Sequence, residues 1–301
     1  MLLEAHHGAT YEQTLALALA TEEAGFDAFF RSDHFLGIDP NDPDLVPTDA
    51  WTTLAGLARD TTRVRLGTLV SPVTFRLPGV LAATVATVDA MSGGRVELGI
   101  GAGWYAREHE AYGVPFPPLG ERLDRLEEQL AIVTGLWTTP PGERFSHAGP
   151  HYRLDDCRNF PRPAQSPRPP LILGGTGPRR SPALAARFAD EYSSGVAGGA
   201  AERFARFRRI CEESGRDPAT VRLSVVVPVC CGADQAEVTR RAEAVGRPDL
   251  LRGGVCGGPE AVLDKLAEVA DAGVDTVYFH LYEVEDVEHV RLLGREVLPR
   301  A

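Results

Sequence analysis

The segment Gly25–Phe35 reads GFDAFFRSDHF, and it joins the pattern of a buried strand to a chemically active end. Its mainly apolar part, Phe26–Phe30, has the length and aromatic content of a strand covered on both faces. Turn residues would ordinarily follow, yet residues 31–34 are a cation, a hydroxyl, a carboxylate and an imidazole. We interpret the segment as a parallel strand whose carboxyl end opens into a pocket.

On both sides of this strand, short apolar segments alternate with helical patterns, which is typical of a parallel sheet. The predicted strands are LLEAHHG, FDAFFRSD, VRLGTLVS, RVELGIGAG, PLILGGTG, ADEYSSG, VRLSVVVPVCC and DTVYFHLY. Eight strands and their helices in 301 residues indicate an α/β fold, a (β/α)8 TIM barrel, with a doubly wound sheet as the alternative. A Pro-rich stretch is too long for a barrel loop, so we expect a single domain over 1–301 with an insertion after the fourth barrel strand, at about 139–170.

The composition narrows the function classes. A formal net charge of −11 without a Lys/Arg cluster argues against nucleic-acid binding. The first residues lack the basic and apolar regions of a signal peptide, and no apolar run reaches the roughly 18 residues of a membrane helix. Five cysteines without CxxC spacing indicate free thiols, so a cytoplasmic protein is expected. The single lysine, Lys265, lies inside a predicted helix, which leaves Schiff-base chemistry without a candidate.

Small and hydrogen-bonding residues follow the other predicted strands, and in a barrel these ends share one rim. GGTGPRR (174–180) lies between a strand and a helix, so its backbone N–H groups and the helix N-terminus could hold a phosphate. GIGAG (99–103) offers a second surface for close approach. It lacks the third glycine and the later acidic partner of a dinucleotide fingerprint, which argues against a nicotinamide-binding Rossmann domain.

Four segments together resemble the luciferase-like monooxygenase superfamily, and more closely its branch of deazaflavin (coenzyme F420)-dependent oxidoreductases. They are EEAGFDAFFRSDHF, RVRLGTLVSPVTFRLPGVLA, ELGIGAGWYAREHEAYGVPFPPLGERLDRLEEQLAIV and LILGGTG. The resemblance implies a TIM barrel with a flavin or deazaflavin across its carboxyl-terminal mouth. It further implies F420 as the cofactor, with FMN as the alternative, and hydride transfer between that cofactor and an unidentified small organic substrate.

The resemblance also implies site residues. Asp33 and His34 match the SDH element beside the ring and the substrate, whose histidine is catalytic in the F420-dependent sugar-phosphate dehydrogenases. GTLVSP matches a bulge in strand three, where Leu69–Val70 would be a cis peptide bond. The implied cofactor contacts are Asp33, Thr68, Leu69, Val70, Gly101, Ala102, Gly103, Trp104, Gly174, Gly175, Thr176 and Gly177.

Two departures from the sugar-phosphate dehydrogenases bear on the substrate. Those enzymes carry an acidic residue after the fourth strand, where this chain has Trp104, and a tryptophan soon after SDH, which this chain lacks. Their sugar substrate is therefore not carried over, and Trp104 could instead stack beside the substrate or the ring. The insertion 139–170 and the loop FLGIDPNDPDLVP (35–47) are expected to shape the pocket.

His34 is the first candidate for proton donor or acceptor, because an imidazole titrates near neutral pH. Asp33 is expected to orient His34 or to bond the edge of the ring. Glu108 and His109, in the segment REHEAYG after strand four, are the second candidates.

Other histidines enter alternative interpretations. His6 and His7 are candidates at the end of strand one, whereas His280, within strand eight, is expected to be structural. A metal-dependent barrel hydrolase could combine them with Asp33 and His34, but strand one has no HxH pair, so no metal is expected.

The cofactor alternatives imply different partners. With FMN, the protein would be a monooxygenase that receives reduced flavin from a partner reductase, and a flavin or F420 reductase could supply the cofactor in either case. A flavin-binding protein without catalysis is a further alternative. The family resemblance implies a homodimer.

Overall fold

Parallel strands close into a barrel in the computed structural model, which describes residues 1–4, 8–37, 47–158, 161–246 and 253–301. The strands are β1 (Leu2–Leu3), β2 (Ala28–Arg31), β3 (Arg65–Thr68), β4 (Ser71–Pro72), β5 (Val96–Gly101), β6 (Arg144–Ala148), β7 (Arg153–Arg158), β8 (Leu171–Gly174), β9 (Glu191–Val196), β10 (Arg222–Cys231), β11 (Val255–Gly257) and β12 (Thr276–Leu281). Eight of them pair in the order β10-β12-β1-β2-β3-β5-β8-β9, all parallel, and β9 returns to β10. Because the sheet closes on itself, the predicted (β/α)8 barrel is confirmed and the doubly wound alternative is wrong.

Helices cover the outside of the barrel and return the chain to the start of each strand. They are α1 (Tyr11–Glu23), α2 (Ala50–Asp60), α3 (Pro78–Ser92), α4 (Ala106–Ala111), α5 (Leu119–Thr138), α6 (Arg180–Phe188), α7 (Ala200–Glu213), α8 (Gln235–Val245), α9 (Pro259–Asp271) and α10 (Val287–Glu296). Thr10 begins α1 with a capping box to Gln13, and Asp49 begins α2 by accepting from the backbone N–H of Thr52. Over the described ranges, none of these helices combines the length and the apolar character that crossing a membrane requires.

Apolar side chains fill two layers of the barrel. The larger core lies between strands and helices and includes Phe29. A smaller cluster includes the buried residues Leu2, Phe30, Ile172 and Tyr278. Phe29 and Phe30 are consecutive, so they face opposite sides of the sheet. The β2 residues Ala28, Phe29 and Phe30 are all apolar because both faces of this strand are covered.

A buried ionic network occupies the amino ends of several strands. Glu191, the first residue of β9, accepts a hydrogen bond from the hydroxyl of Tyr278 (2.9 Å) and pairs with Arg222 (3.1 Å), the first residue of β10. Glu97, near the start of β5, pairs with Arg222 (3.2 Å) and with Arg65. Burial raises the pKa of Glu191, which the pairing with Arg222 partly offsets. We interpret these charges as structural, since they lie at the end of the strands opposite the carboxyl rim.

The predicted insertion contains an antiparallel hairpin of β6 and β7, placed between α5 and β8. Because α5 carries the chain back toward the start of the next strand, the hairpin begins at the amino end of the barrel. It then runs along α5, where Glu128 accepts from the backbone N–H groups of His151 and Tyr152. None of the described residues of 139–170 lines the cavity at the carboxyl rim. Contrary to the expectation that this insertion shapes the pocket, its described residues form no part of the pocket wall. Most of the other loop, at 38–46, lies outside the described residues.

Candidate active site

A cavity of about 900 Å³ opens at the carboxyl ends of the barrel strands. Every implied cofactor contact except Asp33 and Thr68 lines this cavity. The first candidate for proton transfer, His34, lines it as well. Most of the predicted site residues thus lie close together, because the carboxyl ends of the barrel strands share one rim.

His34 reaches the cavity in a hydrogen-bonded setting. Its Nδ1 atom lies 3.0 Å from a carboxylate oxygen of Glu108 on α4, and the backbone N–H of Phe35 donates to the same carboxylate. The imidazole packs edge-on against Trp104, with ring centroids 5.8 Å apart. Burial by itself lowers the pKa of His34, but the hydrogen bond and negative charge of Glu108, with two further carboxylates, raise it overall. The site therefore favours a protonated imidazole more than water does.

Asp33 does not line the cavity. Its fully buried carboxylate accepts hydrogen bonds from the Ser71 hydroxyl and from the Arg76 guanidinium, each at 2.5 Å. Arg76 also binds Asp49, which caps α2. Thr68, likewise fully buried, donates to the carbonyl of Gly99. The structure thus places both predicted cofactor contacts behind the wall of the cavity.

Replacement of Asp33 by alanine is expected to lower the free energy of unfolding by about 3–5 kcal/mol, because it leaves the Arg76 charge partly buried and short of one partner. Urea denaturation of the purified protein measures the change. The matched control is Glu127→Ala, which breaks an exposed ion pair with Arg187 and should cost less than about 1 kcal/mol. Equal midpoints for the two variants would show that the Asp33 pair contributes little to stability.

His109 also lies outside the cavity wall, contrary to its expected catalytic role. It is 1% exposed, with Nε2 at 2.6 Å from the Thr74 hydroxyl and Nδ1 at 2.8 Å from the carbonyl of Tyr105. Its ring packs against Phe75 and Phe116. His109 is therefore a satisfied core histidine, whereas its neighbour Glu108 lines the cavity.

The floor of the cavity follows β3. The Leu69–Val70 peptide bond is cis, as the resemblance implies, and both residues line the cavity. The Val70 side chain fits between glycines, because a Cβ atom on Gly101 or Gly174 would lie 2.9 Å from its methyl groups. Glycine at these positions makes room for the Val70 side chain itself.

The glycine segment 174–177 forms a loop in front of α6. The Tyr192 hydroxyl donates to the carbonyl of Gly175 (2.8 Å), and the Gly175 N–H donates to Ser193 (3.2 Å). A Cβ atom on Gly175 would lie 2.8 Å from the hydroxyl of Ser181 in the first turn of α6. The loop is thus held close to a helix N-terminus, which is an arrangement suited to a phosphate.

Two rim arginines line the cavity near this loop, Arg179 and Arg180. Arg180 also donates to Asp124 (2.6 Å). Arg107 is exposed and is not part of the described wall.

The cavity residues that the sequence analysis did not assign to the site include Glu4, His280 and Tyr282. His280, which is expected to be structural, lines the cavity with its Nε2 atom 3.4 Å from a Glu4 carboxylate oxygen. Its ring also packs against Tyr282, with centroids 4.1 Å apart. The sequence held a signal, because positions 278, 280 and 282 share one face of a strand and Tyr278 belongs to the interior cluster.

The metal-hydrolase alternative rests partly on His6 and His7, which lie outside the described residues. Within the part of the chain that the structure describes, no three His, Cys, Asp or Glu side chains are grouped as metal ligands. Asp33, His34 and His280 engage the partners given above instead.

Comparison with known proteins places this geometry in a family. The model of the luciferase-like monooxygenase family matches residues 2–254. An F420-dependent glucose-6-phosphate dehydrogenase of Microbacterium testaceum is 36% identical over 184 residues, covering 60% of this chain and 51% of that protein. An F420-dependent hydroxymycolic acid dehydrogenase of Mycobacterium tuberculosis is 30% identical over 275 residues, covering 87% of this chain and 74% of that protein.

The likeness extends to solved structures. An F420-dependent secondary alcohol dehydrogenase in complex with an F420-acetone adduct has a TM-score of 0.82 at 18% identity, covering 99% of this chain and 98% of that one. At 18% identity, this match supports the fold alone. The matched region covers about half the length of that glucose-6-phosphate dehydrogenase and of the one from Nakamurella multipartita. Since the family model covers most of the sequence, the chain belongs to the luciferase-like monooxygenase family.

Proposed function

We propose that the protein is an F420-dependent oxidoreductase that transfers a hydride between the deazaflavin and a small organic substrate. The observation that carries the proposal is one cavity holding both the glycine loop 174–177 and the His34–Glu108 pair. The relatives named as F420-dependent dehydrogenases support the choice of cofactor.

The residues of the cavity fit F420. The phosphate would be held by the N–H groups of Thr176 and Gly177 and by the α6 N-terminus, with Arg179 nearby. The flat ring would lie against Val70, whose methyl groups are seated between Gly101 and Gly174. Hydride acceptance and donation are the chemistry that bound F420 supplies.

His34 would accept or donate the proton in this reaction. In an alcohol oxidation, bound F420 would supply the hydride acceptor, and the imidazole of His34 would take the proton that the substrate hydroxyl loses as the C=O bond forms. Glu108 holds Nδ1 of His34, so the other ring nitrogen, Nε2, would exchange this proton with the substrate. Glu108 thus acts as a positioning residue, and in the reverse direction the same imidazole returns the proton.

The rate of alcohol oxidation is expected to rise with pH, since only neutral His34 accepts a proton. The midpoint of the pH profile of kcat/KM should lie above pH 6.5, the ordinary imidazole pKa. The reason is that the neighbouring carboxylates raise the pKa of His34 overall. Glu108→Gln removes the nearest negative charge while keeping a similar shape. Its midpoint should therefore move to lower pH, and an unmoved midpoint would show that Glu108 does not control the proton at His34.

Titration of the purified protein with F420 and with FMN, followed by fluorescence, tests the proposal. Binding of F420 with much weaker binding of FMN supports it. Binding of FMN alone would favour the monooxygenase alternative, in which a partner reductase supplies reduced flavin. Binding of neither cofactor would leave only the barrel assignment and the alternative of a protein without this catalysis.

The family resemblance also supports a homodimer. The unpaired state of all five cysteines supports a location in the cytoplasm. Residues 1–301 would form one domain in each subunit. Light scattering at several protein concentrations measures the subunit number, and a constant monomer mass would contradict the dimer.

A further inference from the structure

The two sides of the cavity differ in charge. In the closed barrel order, β8 lies directly across the mouth from β1, so the glycine loop 174–177 and Glu4 occupy opposite sides. Arg179 and Arg180 follow β8 on the loop side. His34 follows β2, the neighbour of β1, and therefore lies on the Glu4 side.

The side around His34 carries two carboxylates in the wall of the cavity. Glu108 is 2% exposed and bonds His34, and Glu4 lies beside His280 at 3.4 Å. No lysine or arginine of the described chain lines this side. When His34 is neutral, as proton acceptance in alcohol oxidation requires, an anion placed here would meet the negative charge of Glu4 and Glu108 in a partly dehydrated pocket, where water screens it poorly.

Trp104, which packs edge-on against His34, offers an apolar surface beside it. Trp104 is 63% exposed although it lines the cavity, and its indole stacks on Tyr105 with ring centroids 5.2 Å apart and planes inclined by 30°. A large indole supported from behind by a second ring is a suitable surface for a flat apolar group.

We infer that the substrate is an uncharged alcohol or carbonyl compound with a flat apolar group, an inference that rests on the proposed function. That group packs on Trp104, and the reacting oxygen faces His34. Glu4 and Glu108 act against anionic substrates, so sugar phosphates are rejected by charge. Discrimination of this kind depends on the repulsive element as much as on the attractive one.

Two probes that differ in one group test the inference. 1-Phenylethanol and mandelate share a phenyl ring and a hydroxyl, but mandelate has a carboxylate in place of the methyl group. Dissociation constants are measured on the F420-loaded protein, with glucose 6-phosphate as a second anion. We expect 1-phenylethanol to bind at least about tenfold more tightly than either anion.

Two substitutions separate the contributions. Trp104→Ala should weaken binding of 1-phenylethanol by about tenfold or more, because it removes the stacking surface. The matched control is Tyr112→Ala, an exposed aromatic residue outside the cavity wall, which should leave that binding unchanged. Glu4→Gln should tighten the binding of mandelate relative to 1-phenylethanol.

The outcomes distinguish the inference from the proposed function. Equal affinities, tighter binding of an anion, or no binding of 1-phenylethanol would overturn the inference while F420 binding stands. F420 is titrated first on the same sample, and failure there overturns the proposed function alone. The probes are then titrated on the FMN-loaded protein, or on the protein without cofactor, so that the charge preference is still measured.

Discussion

Replacement of His34 by alanine is expected to lower kcat by about 10²- to 10⁴-fold, with the affinity for F420 unchanged. The imidazole lines the cavity and is held at Nδ1 by Glu108, so its loss removes the group that exchanges a proton with the substrate. Steady-state rates from the absorbance of F420, together with an F420 titration, measure both quantities.

A matched control for this variant is His151→Ala. His151 lies between β6 and β7 on the outside of the barrel, beside the middle of α5, and the described cavity wall does not include it. Its replacement should leave kcat unchanged. A His34→Ala enzyme with the kcat of the wild type would assign the proton transfer to another group, with His280 as the first residue to test.

Replacement of Gly175 by valine is expected to weaken F420 binding by about 10- to 100-fold. A side chain there would press against the Ser181 hydroxyl, since even a Cβ atom would lie only 2.8 Å away. Such overpacking costs about 1–3 kcal/mol, and displacement of the loop from the α6 N-terminus converts that cost into lost affinity. Fluorescence titration with F420 measures the effect, and thermal unfolding shows whether the barrel remains intact.

The control for the loop is Gly198→Val. An added Cβ atom at Gly198 would have no atom within 4 Å, and this residue is not part of the described wall. F420 affinity should therefore match the wild type in this variant. Full affinity in Gly175→Val would mean that the glycine loop does not hold the cofactor.

The sequence predicted the barrel because strand and helix patterns alternate locally, but it did not resolve which of two adjacent residues faces the cavity. Asp33 and His34 are consecutive at a strand end, and only His34 reaches the cavity. Glu108 and His109 are consecutive on α4, and only Glu108 does. Successive side chains point to opposite faces of a strand and about 100° apart around a helix, so adjacent polar residues of a motif need not face the same cavity.

Contacts between distant segments account for the rest of the difference. Glu4 and His280 meet because β1 pairs with β12, with Leu2 in register with His280. No local pattern at either segment indicates that pairing. The salt bridge of Asp33 with Arg76 depends in the same way on the loop after β3, which folds back over the strand-two end.

The hairpin of β6 and β7 has a practical consequence, because it offers an attachment point away from the cavity. It begins at the amino end of the barrel, and none of its residues lines the cavity. A cysteine introduced at the exposed Gly142, just before the hairpin, would give a point for immobilisation or for a fluorescent label. Protein attached there would turn its open mouth toward the solution, where both cofactor and substrate arrive.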